Sequence, residues 1–287
     1  MNYYCLIAGL PEIEIEDNKL TFSIAGFKEE VRPVLSSTDT QLFDLFYMKF
    51  DNQNLLLYLK DKEAKFDERG NISKEELEEC FYLMNEEYEV KNKYFLSYFK
   101  TFVSEYQEAQ QGVTDAAKWE NRLTELYYQW AMKCGNKLIS EWFEFNLNLN
   151  NLLAAYTSRK HQLNIEVVGD NEVAESIRTS NQRDFGLTGT FEDLDVFQRL
   201  SDEPDLFERE KKIDLLKWQW LDEQTFFKYF TIERIFAYLI KLEIIERWLT
   251  LDPVEGEKLF RSLIDSLKDS VVNSPESINL QMNELNK

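Results

Sequence analysis

Apolar residues along this chain recur mainly at spacings of three and four, the signature of helices with one buried face. The plainest case runs from Trp142 to Leu163, where Trp142, Phe145, Leu149, Leu152 and Tyr156 step by 3, 4, 3 and 4. Phe95, Phe99, Phe102 and Tyr106 step by 4, 3 and 4. Punctuation divides the pattern into elements. A short helix is expected over 24–31, ended near Pro33. Thr38-x-x-Gln41 reads as a capping box opening a helix to about residue 60. Ser73-x-x-Glu76 opens another to about residue 89, with Ile72 and Leu77 at the positions of a hydrophobic staple. A helix over 93–110 ends before Gly112, and Thr114 or Asp115 caps a long helical region to about residue 163. Gly135 either divides that region or sits inside it, and the pattern leaves both open. Ile13 and Ile15 alternate as in a short strand, so residues 1–20 read as an extended or irregular arm.

Residues 167–190 gather Gly169, Gly186 and Gly189 with Asp170, Asn171, Ser180, Asn181 and Asp184, a loop-rich stretch holding a short helix near 172–177. A division follows: an N-terminal helical lobe over 1–166, a connector over 167–190, a C-terminal helical lobe over 191–273 and a frayed tail over 274–287. The second lobe reads as a helix near 191–200, one over 204–220 with Pro204 in its first turn, and an aromatic helix over 226–250 at its centre. A last amphipathic helix from Pro253 carries Leu259, Phe260, Leu263, Ile264 and Leu267 on one side. Trp218, Trp220 and Trp248 read as core residues. The fold class is therefore all-α: a multi-helix, two-lobed bundle with a short extended N-terminal arm. Its 287 residues suffice for a large core, and nine Gly with five Pro favour helix.

One helix breaks the rules of composition. Asn146, Asn148, Asn150 and Asn151 sit within the 142–163 stretch. Each costs roughly 0.6 kcal/mol of helix propensity relative to Ala. Asn offers two donors and an acceptor on a short side chain, so these amides suit polar bonding to neighbouring helices or to another protein. Solvated or locally bonded amides are the other reading. Asn148 and Asn151 lie three apart on one face, with Arg159 eight further on, and these three residues are the candidate partner interface.

Charge and chemistry narrow the picture. A net charge of −20 repels phosphate backbones and anionic head groups, which argues against nucleic acid and against direct lipid binding. Cys5, Cys80 and Cys134 form no CxxC pair, which fits buried free thiols in a reducing compartment. The first residues lack a basic leader, and the longest uncharged run in the 226–251 stretch is Ile235–Ile240, against the ~20 residues a membrane span needs. The expectation is a cytoplasmic chain. His161 is the sole histidine, so a metal cluster, a di-iron bundle or a His-based nucleophile lacks its parts. Neither GxxxxGK[ST] nor GxGxxG occurs. Glu192, Asp193 and Asp195 could suggest Mg²⁺, but after Thr190 they read as a helix start with an acidic first turn. The segment from Phe66 to Glu76 imitates part of an EF-hand loop, yet its alignment puts Lys65 and Arg69 where oxygen ligands belong. No catalytic, cofactor or metal residue is expected.

Two stretches carry a resemblance. NYYCLIAGLPEIEIEDNKLTFSIAGFKEEV at residues 2–31 and KKIDLLKWQWLDEQTFFKYFTIERIFAYLIKLEIIERW at 211–248 closely resemble an uncharacterised bacterial family. Its members are encoded among the subunits of bacterial V-type (A/V-type) ATPases, and the resemblance covers nearly the whole chain. More remotely, Phe145-Asn146 through Asn151-Leu152-Leu153, followed by Arg159-Lys160, is similar to a segment of the C/d subunit of those machines. Ala154-Ala155-Tyr156 stands where those relatives usually carry Arg, and the N-terminal arm departs from theirs. The resemblance implies a fold similar to that of the V-type ATPase C/d subunit and a non-catalytic role. The chain would couple the central rotor shaft to the ion-carrying membrane ring, with the rotor-shaft subunits and the ring as partners. It would lie peripherally on the inner face of the membrane through that complex. A helical adaptor or assembly factor for the same ATPase is the alternative, and an enzyme with an unrecognised helical site is the remaining class.

Overall fold

In the computed structural model, residues 2–17, 19–86, 88–109, 116–163, 166–189, 191 and 194–250 are described. Among them lie eleven α-helices and no strand: α1 Tyr4–Ala8, α2 Ile24–Val31, α3 Ser37–Lys60, α4 Lys74–Asn85, α5 Ser97–Ala109, α6 Ala116–Ala131, α7 Lys137–His161, α8 Glu172–Thr179, α9 Leu194–Asp202, α10 Leu206–Thr225 and α11 Ile232–Thr250. The expected break near Gly112, the cap at Thr114 or Asp115, Thr190, the Glu192-Asp193 pair, the helix from Pro253 and the tail over 274–287 fall outside the described residues.

The N-terminal arm opens as a helix, correcting the extended reading. Tyr3, Leu6, Ile7 and Leu10 follow the 3, 4, 7 spacing of a helical face, and all four pack against the core. Tyr3 is buried; its hydroxyl donates to Asp39 and accepts from the Ser36 N–H. Ile13 and Ile15 pair with no strand among the described residues. The start of α3 also moves. Ser36, not Thr38, is its N-cap, accepting from the Asp39 N–H at 3.2 Å while its hydroxyl donates to the Asp39 carboxylate at 2.8 Å. The Ser73–Glu76 capping box forms as expected, with both reciprocal bonds, and Ile72 and Leu77 are buried beside it. That helix stops at Asn85, short of residue 89. The next starts at Ser97 rather than 93, because Lys93–Leu96 form a turn that sends the Tyr94 hydroxyl to Asp44 at 2.8 Å. Gly135 settles its open question: φ is +81°, a value L side chains rarely adopt, and the region divides into α6 and α7. Pro204 lies before the cap of α10, where the Asp205 carboxylate accepts from the Phe207 and Glu208 N–H groups.

Two long helices organise the core. α7 packs against α6, α8, α9 and α11, while α11 packs against α2, α3, α7 and α10. Buried residues on both sides of 167–190 belong to one hydrophobic cluster. Phe145 of α7 stacks on Trp220 of α10 at 5.2 Å and meets Phe197 of α9 at 6.2 Å; Phe143 meets Phe236 of α11 at 6.2 Å. The packing thus runs across the expected lobe boundary, because the aromatic faces of α7 need α9, α10 and α11 to cover them. Trp218 is buried, whereas Trp220 and Trp248 are partly buried at the edge of this cluster.

Candidate interaction surface

The three sequence-selected residues act together, and they act inwards. Asn148 and Asn151 are buried, at 4% and 3% exposure. Asn151 Nδ2 donates to the Val168 carbonyl at 2.7 Å, and its Oδ1 accepts from the Val168 N–H at 2.9 Å. Asn148 Oδ1 accepts from Asn171 Nδ2 at 2.7 Å, and the Asn171 Oδ1 in turn caps α8 through the Ala174 N–H. Just over two helical turns beyond Asn151, Arg159 donates to the carbonyls of Gln182 and Ser180, with its guanidinium 3.7 Å from the centroid of the Phe185 ring. Tyr156 completes the row with an edge contact to the same ring at 5.0 Å. The face of α7 is thus a rail onto which residues 168–185 are stitched. In this arrangement both ends of the Asn151 amide and the Asn148 oxygen are bonded within the chain. Of the remaining amides, Asn146 bonds the Trp142 carbonyl of its own helix, and Asn150 is exposed.

The segment that imitates a calcium loop is held in the same manner. Asn54 takes both the N–H and C=O of Asp67, at 2.8 and 2.9 Å. Asp51 accepts from the N–H groups of Asn71 and Ile72 at 2.6 and 2.9 Å. The Arg69 and Gly70 carbonyls accept from Lys28 Nζ at 2.9 and 2.7 Å. An ammonium from α2 therefore ties this loop to the neighbouring helix. Burial sets the local acidities: the Asp51 carboxyl is pushed up to about 6 and the Lys28 ammonium down to about 8. No group of three or more His, Cys, Asp or Glu side chains with metal-holding geometry occurs among the described residues. No described helix is long and apolar enough to cross a membrane.

The feature that sequence reasoning missed lies between α10 and α11. The aromatic stretch expected to begin the central helix at 226 is instead a turn, and α11 starts at Ile232. The Phe226 N–H donates to Glu223 and the Lys228 N–H to Thr225, which closes α10 and turns the chain outwards. Phe226, Phe227 and Tyr229 stand 63%, 79% and 60% exposed. Phe226 and Phe227 meet edge to face at 4.8 Å. Behind them the Phe230 carbonyl accepts from the Tyr3 N–H at 2.7 Å, and its ring lies 4.5 Å from the 55% exposed Tyr4. Thr231 followed by Glu233 was the available signal, because a Thr before an acidic first turn marks a helix start. Several large rings exposed at one place are uncommon on an isolated surface and are typical of contact regions in general.

The two stretches bearing the resemblance meet here. Beyond the Tyr3–Phe230 bond, the Ile24 N–H donates to Glu246 at 2.6 Å, the Phe27 and Tyr238 rings lie 5.2 Å apart, and the Tyr238 hydroxyl donates to the Pro11 carbonyl at 3.0 Å. Residues 2–31 and 211–248 are one packed unit. The profile of one protein family, described as protein of unknown function (DUF2764), matches residues 1–271. The chain belongs to that family. Nothing matches among curated proteins or solved structures. The DUF2764 match takes in every described helix, so the α7 rail and the aromatic turn both lie within the family's extent.

Proposed function

We propose that this chain is a non-catalytic component of a bacterial V-type ATPase, similar in role to the C/d subunit, that couples the central rotor shaft to the membrane ring. The observation that carries the proposal is the convergence of residues 2–31 and 211–248 into one unit ending in exposed Tyr4, Phe226, Phe227 and Tyr229. The segments with the resemblance thereby build the surface best suited to a partner. Large rigid rings give contact area with little rotamer entropy to lose. The core supports a mechanical role: ring contacts run from Phe22 through Phe27, Phe43 and Tyr47 to Phe46 and Phe50. Interlocked side chains at native density transmit strain. A chain of net charge −20 is repelled by anionic head groups, so its place at the inner face of the membrane would come through the complex.

The test is co-purification of the tagged full chain from cells carrying the ATPase. Wild type should elute in stoichiometric amount with the shaft proteins. The double substitution Phe226→Ser with Phe227→Ser should lose them while the thermal melt stays nearly unchanged, since both rings are exposed. Recovery only with incomplete complexes would identify an assembly factor instead. Failure to associate with an intact ATPase would refute both.

A further inference from the structure

A cavity of about 390 Å³ opens among α3, α6, α7, α10 and α11, away from the aromatic turn. Its walls include the rings of Phe46, Tyr127, Trp142, Phe143 and Phe236. Its charges almost cancel in pairs. Lys49 is bonded to Glu243, and Arg247 to Asp214, which also accepts from the Trp248 indole N–H at 2.8 Å. Glu120, the remaining carboxylate of the lining, is exposed. Lys217 is left over. Among the described residues its ammonium has no ion-pair contact or hydrogen-bond partner, in a chain with 53 acidic residues; Asp214 and Glu243 act on it only at longer range. Burial holds it below the usual lysine value, as it does Lys49. Polar side chains share the lining. Asn52, whose Oδ1 accepts from the Tyr98 hydroxyl at 2.8 Å, retains its NH₂ group, and Gln53 and Asn150 also line the space.

A partly desolvated cation beside amide donors and aromatic walls suits one class of ligand. We infer that this cavity binds a small carboxylate with a flat apolar body, the carboxylate on Lys217 and the body between the rings. This site is independent of the proposed docking role and adds a ligand-binding function to the same fold.

Calorimetric titration of the full chain tests it with benzoate and with benzamide, which has the same shape and no charge. Benzoate should saturate one site and bind at least tenfold more tightly than benzamide. Lys217→Met should weaken benzoate by about tenfold to a hundredfold, the usual range for losing a charge-assisted hydrogen bond, and Lys217→Arg should retain most of it. Asn150→Asp, at an exposed lining position, should also weaken benzoate by adding an unpaired negative charge to the cavity, and it keeps the test informative if Lys217→Met fails to fold. Absence of saturation, equal affinity for benzamide, or benzoate affinity unchanged in the folded variants would overturn the inference.

Discussion

Asn151 and Asn54 perform the same task on different helices. Each takes the N–H and C=O of one residue in a downstream loop, Val168 and Asp67 respectively. The propensity cost of Asn inside a helix was readable in the sequence; Asn148 and Asn151 bond a downstream segment, whereas Asn146 bonds its own helix and Asn150 is exposed. The receiving group was not readable, since an amide's partner is fixed only when the chain folds back. Asn151→Ala should therefore lower unfolding stability by about 1–3 kcal/mol, the cost of leaving buried backbone groups unpaired. Asn150→Ala, at an exposed position with one side-chain bond to the Tyr128 hydroxyl, should cost less, about 0.5–1 kcal/mol. Urea titration of the two variants checks the difference; similar values would remove the rail. Asp51 supplies a second residue-scale prediction. Its folded value near 6 lies above the ordinary carboxyl value of 3.8. The folded state thus holds this proton more tightly, and the contribution is stabilising at low pH and lost as pH rises from about 4 to about 6. Measured stability of Asp51→Asn minus wild type should become more favourable to the variant across that window. A flat difference would contradict the assignment.

At the scale of elements, local chemistry decided where the reading succeeded. The capping box at Ser73 is set by residues three positions apart, whereas the left-handed break at Gly135, which the pattern left open, depends on a backbone angle that glycine permits but does not impose. The start of α3 shifted because Asp39 also serves Tyr3, a contact across 36 residues that no local pattern encodes. The onset of α11 was misread because Phe226–Phe230 hold four aromatic rings around Lys228, so composition outweighed the Thr231–Glu233 start signal. The loop before α4 yields a sharp prediction. A Cβ on Gly70 would stand 2.6 Å from Asp51 Oδ1 and 3.1 Å from Asn54 Nδ2, both held in place by their own bonds. Gly70→Ala should cost about 1–3 kcal/mol, as overpacking in a tight site does, and should shift the melting temperature down. An unchanged melt would mean the loop does not sit against α3 as described.

For the whole molecule, the all-helical class was legible in the spacing, whereas the division into lobes did not anticipate one continuous core. Sequence shows where loops collect, but not that α7 turns aromatic faces to elements on both sides of its connector. The site was half legible: Asn148, Asn151 and Arg159 do share one face, yet they bind residues 168–185 of the same chain. The aromatic turn with Tyr4 was invisible because its members lie some 220 positions apart and meet only through Phe230. The account rests on this surface being a mechanical joint in a larger assembly. Cryo-EM of the parent bacterial V-type ATPase, purified in active form, tests that most directly. The account predicts helical density for this chain at the foot of the central stalk, with Phe226, Phe227 and Tyr229 packed against a neighbouring protein of the complex. A fully active, rotating ATPase whose map has no density for the chain would contradict it.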